Sequence, residues 1–172
     1  MKHVLFIMAD PDQSGFLNKS ILPTIKLAYS KNGFKVHVIN IYQDGFNPMS
    51  VDDFISLTFV KSYKHYIKIS DHIHILTPTR LGSLSVATEG FINNIILREY
   101  FDKNILIKKK TFFHVFHQDK DRIFKFNLIY LRLKLLISKA FIYTKIYQYD
   151  LNMINNRNII LQKIKAKTLK EL

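Results

Sequence analysis

The chain has 172 residues, 48% of them apolar, so it can bury a substantial core and is too apolar for a disordered chain. It contains no cysteine, which excludes disulfides, thiolate metal sites and cysteine nucleophiles. The formal net charge is +13, and residues 103–172 hold 16 Lys and Arg against 4 Asp and Glu. This basic half suggests an anionic partner, such as nucleotide phosphates, nucleic acid, an anionic membrane surface or an acidic protein, and a solvated lysine-rich surface is the alternative interpretation. There is no specific nucleic-acid signal.

The first third of the chain alternates strand patterns with helix patterns. Residues 2–9 predict a buried strand, and residues 34–41 predict a second strand, whose imperfect alternation places it near a sheet edge. Between them, residues 16–31 have helical spacing, and Pro23 predicts a kink or a later helix start. A second helix is predicted from Ser50 to about Ile69.

The rest of the chain continues the alternation. A third apolar run at residues 72–76 predicts a strand that Pro78 should end, because proline has no N–H for the ladder. A polar turn over residues 79–85 and a helix to about Tyr100 should follow. Further along we predict strands at residues 111–116 and 141–149, a helix at 123–140, and a last helix that begins at Asn155 or Asn156.

This pattern predicts an α/β fold, namely one domain over residues 1–172 with a doubly wound, five-stranded parallel sheet and helices on both faces. Ligands of such sheets bind at loops that follow the carboxyl ends of strands. No stretch approaches the ~18 uninterrupted apolar residues of a membrane span, and none resembles a signal peptide. We therefore expect a soluble cytoplasmic protein.

Two segments resemble a known family. Residues 77–84, Thr-Pro-Thr-Arg-Leu-Gly-Ser-Leu, resemble the Thr-Pro-Thr-Arg-Phe-Gly-Asn-Met loop of FMN-dependent NAD(P)H:quinone oxidoreductases related to the tryptophan-repressor-binding protein. Residues 41–48 are similar to the Leu-Tyr-x-x-x-Phe-Asn-Pro connection of DT-diaphorase-like reductases. The resemblance implies a flavodoxin-like sheet of order 2-1-3-4-5. It also implies hydride transfer from NAD(P)H, as co-substrate, to FMN and then to a quinone-type acceptor, and it leaves a homodimer open.

The resemblance implies which residues would bind the cofactor. The loop after the first strand would take the flavin phosphate at a helix start, with Ser14, Phe16 and Asn18 as contacts. Asp10, where the family usually has histidine, and Asp12 would repel the phosphate unless they point away. The loop after the third strand would line the flavin ring with Pro78, Thr79, Arg80, Leu81, Gly82 and Ser83.

The third loop departs from the family pattern. The family has paired glycines there, whereas this chain has no glycine after Gly90. His117 could replace the family's histidine as the catalytic group that protonates a quinone oxygen, or it could be structural. The alternative function is thus a non-enzymatic flavodoxin-like module with weakened or lost flavin binding, whose basic C-terminal half binds an acidic partner or anionic surface. No metal site is predicted, since His72 and His74 share a strand face without a recognisable third ligand.

Overall fold

The computed structural model describes residues 1–48, 54–80, 83–97, 109–117, 143–150 and 157–172. The described strands are β1 (His3–Met8), β2 (Lys35–Asn40), β3 (His72–Arg80), β4 (Ser83–Leu84), β5 (Lys110–His117) and β6 (Tyr143–Asp150). Helix α1 is a π-helical turn, Leu17–Ile21, continued by Leu22–Lys31; α2 is Phe54–Ile69; α3 is Val86–Phe91 continued by a π-helical segment, Ile92–Leu97; α4 is Arg157–Glu171.

Several predicted features lie outside the described residues. They are the helix at 123–140, the helix starts at Ser50 and at Asn155 or Asn156, and the turn residues Leu81 and Gly82. Within the part of the chain that the structure describes, no helix is long and apolar enough to cross a membrane.

The long strands form a parallel sheet in the order β2-β1-β3-β5-β6, and the short β4 pairs antiparallel with β3. Without β4, this is the predicted order 2-1-3-4-5, so the flavodoxin-like topology is confirmed. Strand β2 lies at one edge of the sheet, as its imperfect alternation predicted. The register places Met8 opposite Leu76 and Pro78 opposite Phe116, so β1, β3 and β5 end close together.

Alternate residues of β1 enter two cores, one on each face of the sheet. Leu5 belongs to the core that contains Tyr63 of α2. Phe6 points the other way, into the core that contains Ile25 of α1 and Ile164 of α4. The period-2 pattern of a strand buried on both faces therefore produces the predicted layered architecture.

Pro78 does not end the third strand, which continues to Arg80, and the prediction was wrong on this point. The carbonyl of Leu76 accepts a hydrogen bond from the Ala9 amide at 2.9 Å, so the backbone groups of Leu76 face β1. Backbone direction alternates along a strand, so the nitrogen of Pro78 faces the same side. Because β1 ends at Met8, only the last possible ladder bond on this side is lost, and β3 continues through its pairing with β5, where Pro78 lies opposite Phe116.

Pro23 lies where α1 changes from π-helical to α-helical geometry, so the α-helical part begins at Leu22, later than the predicted start at residue 16. The amide of Leu22 donates to the carbonyl of Leu17, five residues back, rather than four. Pro23 has no N–H for the carbonyl of Lys19, its α-helical acceptor, and its ring would crowd that carbonyl. The π-helical turn accommodates the proline at the second position of the α-helical segment, so the chain stays helical through it.

A chain of polar rings crosses the core between the sheet and α1. The Tyr29 hydroxyl lies 3.0 Å from His72 Nδ1 and 2.7 Å from His74 Nε2. His74 Nδ1 lies 2.9 Å from His114 Nε2, and His114 Nδ1 lies 3.3 Å from the Tyr149 hydroxyl. All five side chains are buried. Because neutral imidazole and phenol each offer one donor and one acceptor here, one direction of donation satisfies the whole chain.

Candidate functional site

Three segments that the sequence analysis linked to a cofactor meet at the carboxyl ends of the parallel strands, which we call the carboxyl edge of the sheet. Strands β1, β3 and β5 are adjacent and parallel, so their carboxyl ends lie side by side. The loop after β1, the β3–β4 hairpin and His117 at the end of β5 therefore share this edge. Ligands of open α/β sheets bind at such an edge, where the strand order reverses.

Asp12 accepts hydrogen bonds from several donor groups of the loop after β1. Its Oδ1 accepts hydrogen bonds from the Ser14 amide at 3.0 Å and from the Ser14 hydroxyl at 2.8 Å. Its backbone carbonyl accepts from Asn18 Nδ2 at 2.9 Å and from the Gly15 amide at 3.1 Å. The side chains of Ser14 and Asn18, predicted to bind a phosphate, are thus both bonded to Asp12.

Gly15 permits the close approach of this carboxylate. A Cβ at position 15 would lie 2.7 Å from Asp12 Oδ2 and 2.9 Å from its carboxyl carbon, so any other residue there would force this carboxylate to move. Phe16 follows as the residue that precedes α1, and it makes no side-chain cap. Its ring is half-buried and packs against the core on the α1 face rather than lying free at the edge.

Asp10 lies behind Asp12 and is buried, with 5% of its surface exposed. Its Oδ1 accepts from the Asp12 amide at 3.0 Å, and its backbone carbonyl accepts from Gln13 Nε2 at 2.9 Å. Burial raises the pKa of the Asp10 carboxyl; the bond from the Asp12 amide opposes this shift, and the Asp12 charge adds to it. Gln13 Oε1 accepts in turn from Asn40 Nδ2 at 2.6 Å, which ties the loop to the end of β2.

The predicted ring-binding segment is a hairpin rather than an open turn. Thr79 pairs with Leu84 and Arg80 with Ser83, which leaves two residues between the strands. Thr79 is buried, Pro78 is half-buried and Ser83 is exposed. Leu81 and Gly82, the other two predicted contacts, lie outside the described residues.

Three hydroxyl groups join the end of β3 to the start of α3. Ser85 is the N-cap of α3, and its Oγ accepts from the Thr88 amide at 3.1 Å. Thr88 Oγ1 lies 2.8 Å from Ser85 Oγ and 3.2 Å from Thr77 Oγ1. Thr88 is buried, and these neighbours give its hydroxyl hydrogen-bond partners and hold the hairpin against the helix start.

His117 reaches the same edge from β5. It is half-buried, and the register places it opposite Asp150 of β6. The preceding residue, Phe116, lies opposite Pro78 of the hairpin strand. The structure therefore brings His117 to the edge that carries the hairpin, and its predicted role in proton transfer stays a prediction.

The sequence analysis missed the polar chain that starts at His72. His72 and His74 were noted as a pair on one strand face, but His114 and the two tyrosines come from other elements. Within the described ranges, no group of three or more His, Asp or Glu side chains has a geometry that could hold a metal ion. A motif search cannot find such a chain, because its members meet only through strand register.

The two ends of the edge differ in how well they fit FMN. The hairpin presents a braced backbone, which suits a planar ring. The loop after β1 does not fit the phosphate, because the donors of Ser14 already face the Asp12 carboxylate and Asp10 adds a second carboxyl beside it. To bond to Ser14, a phosphate would have to displace the Asp12 carboxylate from these donors. Its negative charge would still lie near the carboxyl groups of Asp12 and Asp10, which repel it.

Comparisons with known proteins agree with the fold. No protein-family model matches the chain, and no curated protein sequence matches it either. Among solved structures, Smu.1420 from Streptococcus mutans UA159 superposes with a TM-score of 0.74 at 16% identity, over 96% of this chain and 98% of that one. An NAD(P)H:quinone oxidoreductase from Methanothermobacter marburgensis gives 0.69 at 13% identity, over 97% of both chains.

A third similar structure contains FMN. It is an FMN-dependent NADH-azoreductase from Bacillus anthracis str. Ames Ancestor in complex with FMN, with a TM-score of 0.69 at 13% identity, over 99% of this chain and 97% of that one. Identities this low show the fold alone. The chain therefore has a flavodoxin-like fold, as the sheet order and the loop resemblance predicted.

Proposed function

We propose that this protein is a flavin-dependent NAD(P)H:quinone oxidoreductase. Proteins of this activity are among the solved structures that share its fold, including the Methanothermobacter marburgensis enzyme. A bound flavin would supply the hydride-carrying chemistry, and the protein would supply position and electrostatics. Under this proposal, the electron donor is NAD(P)H and the acceptor is a small quinone-type molecule.

The observation that carries the proposal is the braced hairpin after β3. The hydroxyls of Thr77, Ser85 and Thr88 hold β3 and α3 together. They lie at the carboxyl ends of the strands, near the point between β1 and β3 where the strand order reverses. A site for a flat ring needs a rigid backbone edge, since a loop that must become ordered on binding loses affinity. The hydrogen bonds that brace the hairpin therefore favour a ligand-binding role over a simple connection between β3 and α3.

His117 is the residue that we propose as proton donor to the quinone oxygen. It lies at the end of β5, on the edge that carries the hairpin. Replacing His117 with Gln should lower the turnover of a quinone while leaving flavin binding within about twofold. A loss of flavin binding instead would place His117 in the cofactor site or in the fold.

The test of the function is protein-dependent oxidation of NADH or NADPH, with a soluble naphthoquinone as acceptor and added riboflavin or FMN. We expect the rate to exceed that of free flavin by at least about tenfold. Ser83→Trp places a bulky ring on the exposed end of the hairpin and should abolish most of this excess. The matched control is Ser30→Trp near the end of α1, an equally exposed position at the opposite edge of the sheet.

The outcome of this assay separates the proposal from contamination. Activity that survives Ser83→Trp unchanged would come from elsewhere in the preparation or the molecule. No protein-dependent rate with either nicotinamide and either flavin would contradict the enzymatic proposal.

The second candidate is a non-enzymatic module with lost flavin binding that contacts an anionic surface through its basic half. This candidate is favoured by the loop after β1, in which the Ser14 donors are bonded to Asp12 instead of being available to a phosphate. It is also favoured by α4, on which Lys163, Lys165 and Lys170 are exposed. Electrostatic binding by these lysines should weaken as salt screens it.

Retention on vesicles that contain anionic lipid, measured at rising ionic strength, tests the second candidate. The triple change of Lys163, Lys165 and Lys170 to Gln should release the protein at a lower salt concentration. Retention that does not differ between vesicles with and without anionic lipid would leave these lysines as solvated surface.

A further inference from the structure

We propose that Asp12 is a built-in anion that excludes the flavin phosphate, so that the protein selects flavins without a phosphate, of the riboflavin class. This inference rests on the proposed flavin-dependent function, because it concerns which flavin the site accepts. It goes beyond that function, since the flavin named for the azoreductase of similar fold is FMN.

The contacts of Asp12 carry the inference. A flavin phosphate at this switch point would take backbone and side-chain donors at the start of the first helix. Here two donors of Ser14 converge on the same carboxylate oxygen of Asp12, at 2.8 and 3.0 Å. The Gly15 amide and the Asn18 amide group are bonded to the Asp12 carbonyl. Four donors of this loop, namely the amide and hydroxyl of Ser14, the Gly15 amide and the Asn18 side chain, are thus bonded to one residue.

The packing of the loop keeps this carboxylate in place. Its Oδ2 would lie 2.7 Å from a Cβ at position 15, so the carboxylate lies close to the Gly15 backbone. The amide of Asp12 is bonded to Asp10, and Gln13 connects the loop to Asn40. Asp12 is exposed, and its amide and carboxylate are both bonded within the loop, to Asp10 and to Ser14.

The charge of Asp12 sets the direction of selectivity. A phosphate that carries close to two negative charges would meet the Asp12 carboxylate and the nearby Asp10 carboxyl. The ring and ribityl chain of riboflavin carry no such charge. Removing the Asp12 carboxylate should therefore improve FMN binding and leave riboflavin binding nearly unchanged.

The experiment measures flavin fluorescence on titration with the full chain, for riboflavin and for FMN. The native protein should bind riboflavin more tightly than FMN. Asp12→Ala frees the Ser14 donors and should shift the ratio of the two dissociation constants by about tenfold or more in favour of FMN, the equivalent of one charge-assisted hydrogen bond. Asp71→Asn removes one exposed negative charge at the opposite edge of the sheet and should leave the ratio unchanged.

Native protein that binds FMN as tightly as riboflavin, or more tightly, would overturn the inference. An unchanged ratio in Asp12→Ala would overturn it as well. If neither flavin binds, the proposed function fails, and inorganic phosphate then tests Asp12 by itself. In amide NMR spectra, phosphate should cause saturable shifts of Ser14 and Gly15 in Asp12→Ala but not in the native chain, and saturable shifts in the native chain, or none in Asp12→Ala, would refute the assignment.

Discussion

His74 and His114 are hydrogen-bonded to each other, Nδ1 to Nε2 at 2.9 Å, on neighbouring strands of the sheet. Both side chains have only 1% of their surface exposed. With His72 they place three imidazoles in a core, where a proton on any one would be a buried charge. The fold therefore requires these histidines to be neutral.

The stability of the protein should decrease in mild acid. Burial lowers the pKa of His72 to about 4 and of His114 to about 3, and it holds that of His74 well below 6.5. In the unfolded chain each pKa is about 6.5, so below that pH the unfolded state binds more protons than the folded state. The free energy of unfolding should fall as pH decreases from about 6.5 toward 4, by up to about 1.4 kcal/mol per pH unit for each histidine.

Urea unfolding at a series of pH values between about 7.5 and 5 measures this slope. His65→Gln changes an exposed histidine of α2 and should leave the slope intact. His114→Phe should reduce it, since one proton-binding group is removed from the unfolded state. An unfolding midpoint that does not move over this range would contradict the neutral, buried state of the three rings.

Tyr29 is the residue whose hydroxyl connects two of the histidines. Tyr29→Phe should lower the free energy of unfolding by about 2–3 kcal/mol, because His72 and His74 each lose a buried hydrogen-bond partner. Tyr149→Phe is the matched control. Its hydroxyl serves His114 alone at 3.3 Å, so a cost of about 1 kcal/mol is expected. If the two changes lower the free energy of unfolding equally, the Tyr29 hydroxyl contributes no more to stability than the Tyr149 hydroxyl, and this prediction is wrong.

The parallel strands could be predicted from sequence because buried strands are short apolar runs, as in residues 3–8 and 72–76. Pro78 misled the prediction of where β3 ends, because the loss of a ladder bond depends on where the neighbouring strand stops. His114 was missed for a similar reason. Its contact with His74 is set by strand register, which no local pattern encodes.

Gly90 allows the loop before α2 to pack on α3. A Cβ at position 90 would lie 2.1 Å from Cβ of Pro48, whose carbonyl also accepts a hydrogen bond from Asn94 Nδ2 at 3.0 Å. Gly90→Ala should therefore destabilise the protein by about 1–3 kcal/mol, although alanine is the better helix former.

A double-mutant cycle with Pro48→Gly checks this prediction in thermal or urea unfolding. Pro48→Gly removes the atoms that would collide, so Gly90→Ala should cost much less in that background. The same cost in both backgrounds would rule out the collision as the cause.

Glu171 ties the end of α4 to the edge strand β6. Its Oε1 accepts from Lys145 Nζ at 2.6 Å and from the Tyr147 hydroxyl at 2.8 Å. Glu171→Gln should lower the free energy of unfolding by about 1 kcal/mol, a modest loss because the Lys145 side chain is 57% exposed and the pair is screened.

The effect of Glu171→Gln should shrink in high salt, which urea unfolding at two ionic strengths can measure. Lys170→Gln, at an exposed neighbouring position, should change stability little. A loss from Glu171→Gln that is larger in high salt would contradict an electrostatic contribution.

The candidate site was predictable only in its location. Ser14 and Asn18 could be identified from a helix start after a buried strand, and Thr77 to Leu84 from its resemblance. The direction of the Asp12 side chain could not, since an acidic turn that faces solvent and one that folds back onto Ser14 have the same sequence. Only the loop geometry shows whether the Ser14 hydroxyl is available to a phosphate or is already bonded to Asp12.

The most direct test of the central claim is the phosphorus NMR spectrum of FMN in the presence of excess protein. Ring binding at the hairpin without phosphate capture predicts a quenched flavin fluorescence together with a phosphate resonance that still titrates with solvent pH, near the free value of about 6. A phosphate resonance that no longer titrates would place the phosphate inside the Asp12 loop and contradict the account. So would a fluorescence of riboflavin, measured in parallel, that the protein does not change.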